Sequence, residues 1–143
     1  MLHSIYIKNL AIIDEVSVTL ENGLNIVTGE TGSGKSLLIK AIQLLMGKKF
    51  SADVLRTGCE NLIVEGFFSN GDKKTTIRRV YDKNGKSRSF INDEPVKQKD
   101  LLNTTIKLAD LHGQHDHQNL LNPSTHLDYL DLFGEYENEL NEL

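Results

Sequence analysis

Cysteine is almost missing from this 143-residue chain, with Cys59 alone. One thiol can form neither an internal disulfide nor a cysteine-rich zinc site, and this usage fits a reducing cytoplasm. Long hydrophobic runs are missing too. No stretch is apolar and long enough to cross a bilayer, and the N-terminus has no charged-then-apolar leader. These absences predict a cytoplasmic chain outside the membrane. Neither sign of charge dominates. Sixteen Lys and Arg against 20 Asp and Glu leave a net charge of −4, which excludes a protein that is basic all over. With 38% hydrophobic and 25% charged residues, the remainder is ordinary globular composition, enough for one domain with a real core.

The charge is unevenly placed. Residues 73–88 carry Lys73, Lys74, Arg78, Arg79, Lys83, Lys86 and Arg88 against the single acid Asp82, whereas Glu135, Glu137, Glu139 and Glu142 crowd the end of the chain. A basic stripe on an acidic protein suits contact with phosphates, DNA among them; it equally suits the solvated face of a hairpin.

Alternation predicts strands at the start: Ile5 and Ile7, then Val16, Val18 and Leu20, each separated by polar residues. Asn22-Gly23 is a tight-turn signal, and residues 24–28 read as a short strand ending at Gly29. Residues 36–46 read as a helix whose only polar stripe is Lys40 and Gln43, so it is expected to be packed on most sides. Gly47 stops it, with Lys48 and Lys49 beside its negative end. Strands are predicted over residues 62–68, 75–81 and 87–92, with Asn84-Gly85 turning the last pair, then a short helix over 96–103 and a buried strand over 106–111. Leu127, Leu130, Phe133, Tyr136, Leu140 and Leu143 recur at helical spacing with no stop signal, which predicts a helix running on into a coiled coil.

Between the predicted strand and helix stands the strongest motif. Gly29, Glu30, Thr31, Gly32, Ser33, Gly34, Lys35 and Ser36 satisfy G-x-x-x-x-G-K-[ST] in full. Glycines free the backbone to point its amides inward as a nest for phosphate oxygens, and the following helix adds free N–H groups and the positive end of its dipole. In such a loop Lys35 reaches the β- and γ-phosphates of ATP, and the Ser36 hydroxyl ligates Mg²⁺. A mere connecting turn has no need of lysine and serine at those two positions.

A P-loop alone does not choose among kinases, GTPases and ABC-type ATPases. Two alternating strands before the loop and a long β region after it favour an α/β P-loop NTPase of the ABC/SMC type with an antiparallel β portion. Gln114, at the end of a later predicted strand, stands where ATPase heads of that type place a glutamine beside Mg²⁺ and the γ-phosphate. Around it run His112, His115, Asp116 and His117. The three histidines do not share one face of a strand or a helix, so supports for a nucleotide-sensing loop are favoured over a metal site.

Asn9-Leu10-Ala11-Ile12-Ile13-Asp14, Gly23-Leu24 leading into Thr28-Gly29-Glu30-Thr31-Gly32, Ile77-Arg78-Arg79, Ser87-Arg88-Ser89-Phe90-Ile91-Asn92 and, above all, Asp110-Leu111-His112-Gly113-Gln114-His115-Asp116-His117-Gln118 resemble the N-terminal region of the RecN family of bacterial DNA repair proteins. The resemblance spans nearly the whole chain. It implies an SMC-like ATPase acting in double-strand break repair, cytoplasmic and nucleoid-associated, with Gly29, Gly32, Gly34, Lys35 and Ser36 as Walker A loop and Gln114 as Q-loop. It also implies that residues 1–125 form the N-terminal head lobe and 126–143 the beginning of a coiled coil. The Walker B acids, catalytic glutamate and signature motif would belong to a C-terminal lobe, and a second head would close over the γ-phosphate. On that basis this segment is expected to bind ATP without meaningful turnover. Two rivals stay open. One is a small-molecule kinase or transferase with Arg78, Arg79 and Arg88 as lid arginines. The other is a non-enzymatic module that meets DNA or a partner through the basic run.

Overall fold

A computed structural model describes residues 1–30 and 34–109. Among these residues six strands form one antiparallel sheet: β1 (Leu2–Leu10), β2 (Ile13–Thr19), β3 (Asn61–Asn70), β4 (Lys73–Asp82), β5 (Ser87–Ile91) and β6 (Glu94–Val96), in the order β2-β1-β3-β4-β5-β6. Helix α1 (Lys35–Leu45) and helix α2 (Gln98–Thr105) supply the remaining regular structure of the described residues apart from a 3₁₀ turn at Ala52–Val54.

The predicted alternation builds the sheet. Ile5 stands opposite Val18 and Gly66, and Ile7 opposite Val16 and Val64, so side chains of one parity share a face. That face holds Ile5, Ile7, Leu62, Val64, Phe68 and Ile77 against Ala41, Leu44 and Leu45 of α1 and Leu101 of α2. Gly66 sets how closely α1 approaches. A Cβ there would come within 2.7 Å of Leu45 Cδ1 and 3.0 Å of Phe68 Cε2. Seating α1 on Gly66 in turn decides where its first residue, next to the glycine loop, is presented.

Helix α1 ends as its glycine predicts. Gly47 has φ +97°, Lys48 N–H donates to Gln43 O at 3.0 Å, and Gly47 N–H donates to Leu44 O at 3.1 Å, a Schellman arrangement. Among the described residues Arg79 is the one charged side chain drawn into the core face, 6% exposed. Its Nη1 donates to Leu44 O at 2.7 Å and Lys48 O at 2.8 Å, and its Nη2 to Ser87 Oγ at 3.0 Å. Gln98 Nε2 donates to Gly47 O at 2.6 Å, and Thr105 Oγ1 to Met46 O at 3.3 Å. Side chains from β4 and α2 thus bond carbonyls at and just beyond the helix end.

Three expectations change, and one hairpin is added. Residues 24–28 form no strand, and Leu24 and Ile26 are 87% and 75% exposed. The Asn25 carboxamide closes this loop instead, accepting from Glu21 N–H at 2.9 Å and donating to Glu21 O at 2.8 Å. Apolar spacing proposes a strand, but a strand needs a hydrogen-bonding neighbour, and none of the described strands pairs here. Residues 106–108 continue α2 as turns, with Ile106 exposed, so the described part of the predicted strand 106–111 is not one. The near-uniformly apolar α1 is covered on its sheet side only among the described residues, leaving Ile39 56% exposed. Finally, a hairpin without a prior signal joins β5 to β6 through Asn92 and Asp93, at φ 50° and 66°. The Asn84-Gly85 hairpin falls where predicted, with the Asp82 carboxylate accepting from Asn84 and Lys86 N–H groups.

Candidate nucleotide-binding site

Gly34 is the residue from which α1 departs. It has φ +96° and ψ −4°, a conformation that costs a residue with a Cβ about 1–2 kcal/mol. A Cβ there would meet nothing within 4 Å, so the glycine answers to backbone conformation and leaves open space at the helix start. Gly34 O accepts from both Leu37 and Leu38 N–H at 3.0 Å, which winds the first turn tightly. No side chain caps this end and no acid stands in the first turn. The amides and the positive pole of α1 therefore face outward with no competing protein anion on that turn.

Lys35 turns its ammonium group back across the loop. Nζ donates to Gly29 O and, at 3.2 Å, to Glu30 O. The two ends of the glycine loop are drawn together by a cation held on neutral carbonyls. An anionic ligand can take over such a cation without breaking an ion pair. Ser36 is exposed on the same turn, its hydroxyl available to a cation. Beside them lies a cleft of about 420 Å³, lined at the loop by Thr28, Gly34 and Lys35 and on its apolar side by Ile12, Ile13 and Val16. The apolar wall comes from the β1–β2 turn and from β2 after it, which spacing alone did not mark as part of the site. Its backbone is unusual, with Asn9 and Ala11 at φ 60° and 49°. Segment 54–56 holds it: Ala11 N–H donates to Val54 O at 2.8 Å, Arg56 N–H to Asn9 O at 3.0 Å, and Arg56 Nη1 to Ile12 O at 2.8 Å.

Among the predicted site residues, Gly29, Glu30, Gly34, Lys35 and Ser36 come together here, and these fit a phosphate chain with a divalent cation in donor type and placement. Thr31, Gly32 and Ser33 lie outside the described residues. So do residues 110–143, with Gln114, the His112, His115 and His117 cluster, the boundary expected at 125 and the terminal helix. Among the described residues no group of three or more His, Cys, Asp or Glu could hold a metal ion, and no helix is long and apolar enough to cross a membrane.

The basic run does not form one surface. Arg79 is buried and engaged with α1, so it is neither a DNA contact nor a lid arginine. Arg78 pairs with Asp93 at 2.9 Å and lies 4.9 Å from the Phe90 ring centre, while Lys83 pairs with Glu60 at 2.8 Å. Lys73 and Lys74 begin β4, whereas Lys86 precedes β5 beyond the other end of β4. At about 3.4 Å per residue these ends are roughly 30 Å apart. The physical reason is the period of a strand, which sends successive residues to opposite faces and spreads a run of sequence along the sheet.

A glycine loop opening onto an uncapped helix, with an antiparallel sheet laid against that helix, defines the N-lobe of an ABC/SMC-type P-loop ATPase head. The fold is shared with an Smc head domain with coiled coil and joint from Pyrococcus yayanosii (TM-score 0.75, 16% identity, covering 99% of this chain and 34% of that one). It is also shared with the recombination mediator protein RecF (TM-score 0.69, 24% identity, 92% of this chain and 37% of that one). The chain belongs to the AAA domain family, whose profile matches residues 4–143. Within it the chain is RecN-like: it is 37% identical to the DNA repair protein RecN of Bacillus subtilis over 156 residues, covering 97% of this chain and 27% of that relative's length.

Proposed function

We propose that this chain binds ATP with Mg²⁺ through residues 29–36, as the N-terminal lobe of a RecN-like ATPase head acting in DNA double-strand break repair and recombination. The observation that carries this reading is the Lys35 ammonium, held on the Gly29 and Glu30 carbonyls beside the uncapped first turn of α1. In the nucleotide-bound state Lys35 shifts its donors to the β- and γ-phosphate oxygens, and the backbone amides around Gly34 take the remaining phosphate charge. Ser36 supplies a hydroxyl oxygen to Mg²⁺, with Gln114 as a further oxygen donor in the family arrangement. When bound, the cation neutralises charge on the β- and γ-oxygens. The apolar wall formed by Ile12, Ile13 and Val16 excludes water from one side of the cleft.

Hydrolysis in the whole protein would require a carboxylate to orient water and a second head to close on the γ-phosphate. The exposed Ile39, Leu24 and Ile26, beside the P-loop in sequence, suit burial by a C-terminal lobe. The kinase reading loses two of its three lid arginines, with Arg79 buried and Arg78 paired, and keeps only Arg88.

Calorimetric titration of Mg-ATP into the chain tests the proposal. Losing charge-assisted bonds worth about 1.5–3 kcal/mol should weaken binding by roughly 10- to 150-fold in Lys35→Ala, and Ser36→Ala should lose the Mg²⁺-dependent part of the affinity. Equal affinity in Lys35→Ala and the parent chain would refute it.

A further inference from the structure

Three asparagines in this chain directly precede glycine: Asn22, Asn70 and Asn84. Asparagine is a thermolabile residue. Where the backbone is free to fold, the amide nitrogen of the next residue attacks its Cγ, and a glycine there offers no Cβ to block the approach. The structure puts the three steps in different surroundings. Asn70 ends β3 and is paired with Lys73 across the β3–β4 turn. Pairing keeps its backbone extended, the wrong shape for closing a ring onto the following nitrogen. Asn84 lies in a turn with three consecutive amides engaged. Gly85 N–H donates to Asp82 O at 3.0 Å, and the Asp82 carboxylate accepts from Asn84 N–H at 2.9 Å and Lys86 N–H at 3.0 Å. A nitrogen that already donates, beside a fixed carboxylate, is a poor place to develop the negative charge that attack requires.

Asn22-Gly23 has none of this protection. Both residues are exposed, and a Cβ on Gly23 would meet nothing within 4 Å. The Asn25 carboxamide closes the loop by bonding Glu21 N–H, Glu21 O and Gly23 O, so it clasps the Gly23 carbonyl and leaves the Gly23 N–H unused. Among the described residues nothing bonds that N–H or the Asn22 side chain. Glu21 is adjacent, but water and salt screen its exposed carboxylate. We propose that Asn22 is a spontaneous modification site, where the chain deamidates ahead of its other two Asn-Gly steps. The Gly23 nitrogen forms a bond to Asn22 Cγ and gives its proton to water. The side-chain NH₂ takes up a proton and leaves as ammonia, and the resulting succinimide adds one water at either carbonyl. The product is aspartate or isoaspartate, each with one new carboxylate. In isoaspartate the main chain runs through the side-chain carbon, which inserts a methylene into the span from Glu21 to Asn25 that the carboxamide bridges. The modified loop leads into Gly29, yet the reaction does not depend on what residues 29–36 bind.

Peptide mapping by mass spectrometry of the full chain, aged in mildly alkaline buffer, tests the assignment. Asn22 should convert at least roughly fivefold faster than Asn84, the factor that one net hydrogen bond on Gly85 supplies, and it should also lead Asn70. Ageing in concentrated urea should bring the three rates within about twofold of one another, because the dipeptides are identical and only the fold separates them. Asn22→Gln, whose longer side chain would have to close a larger ring, should remove the fastest phase of ammonia release from the folded chain. Labelling by a protein-isoaspartate methyltransferase should map to residue 22. Asn84 or Asn70 converting as fast as Asn22 in the folded chain would overturn the proposal. So would an Asn22 lead that persists unchanged in urea, or an Asn22 that converts in urea and stays intact in the folded chain. Failure of ATP binding in the parent chain leaves all these outcomes intact, so the two readings fail separately.

Discussion

Replacing Arg79 by Met separates a structural arginine from a surface one. The substitution keeps an unbranched stem of similar reach and removes the donors to Leu44 O, Lys48 O and Ser87 Oγ. Two bonds from a charged donor to helix-end carbonyls are worth about 1.5–3 kcal/mol each. Part of that gain is offset in the native protein, because burial is costly to a guanidinium whose Nε lacks a partner, and burial also pushes its pKa down. A net loss of about 2–3 kcal/mol remains, a large share of the ~5–15 kcal/mol that holds a domain together. Urea denaturation followed by circular dichroism should show the midpoint falling with an unchanged slope, and thermal melting should begin some 8–15 °C lower. Arg88→Met, on the same basic run but exposed, is expected to stay within about 0.5 kcal/mol of the parent. If Arg79→Met were as stable as Arg88→Met, or more stable than the parent, the role given to Arg79 at the end of α1 would be wrong.

Gly66→Ala places a Cβ 2.7 Å from Leu45 Cδ1, between buried side chains with little room to yield, so it should cost about 1–3 kcal/mol in the same urea assay; full parental stability would show that α1 is not seated on that glycine. The Lys8–Glu15 pair at 3.0 Å holds the Glu15 carboxyl below its ordinary pKa, first through the hydrogen bond from Lys8 and then through that from Tyr6. Because the folded pKa is the lower one, the pair's contribution is complete above the ordinary glutamate range and disappears as pH falls through the lowered value. A Glu15 NMR titration midpoint at or above the ordinary value would contradict this.

The P-loop, α1, the hairpin at Asn84-Gly85 and the stop at Gly47 were all legible in the chain, because each depends on residues close together in sequence. Gly34 and Gly47 need positive φ whatever lies around them, and Lys35 follows its glycine by one residue. Strand alternation likewise marked Ile5, Ile7, Val16 and Val18 as one face before any pairing was known. The β5–β6 hairpin was missed because Asn92-Asp93 lacks the glycine that usually announces such a turn.

Partners distant in sequence were another matter. Residues 24–28 have the composition of a strand, yet composition does not supply the neighbour that a strand requires. Arg79 and Arg88 are equivalent in a list of charges; the β4–β5 register and the position of α1 bury one and expose the other. The β1–β2 turn became a wall of the nucleotide cleft only because residues 54–56 hold it there. Local conformation and motif chemistry were therefore determined by the sequence alone. Which cations remain on the surface, and which apolar residues line the cleft, was decided by tertiary structure, since burial and hydrogen bonding join groups that the chain keeps dozens of residues apart.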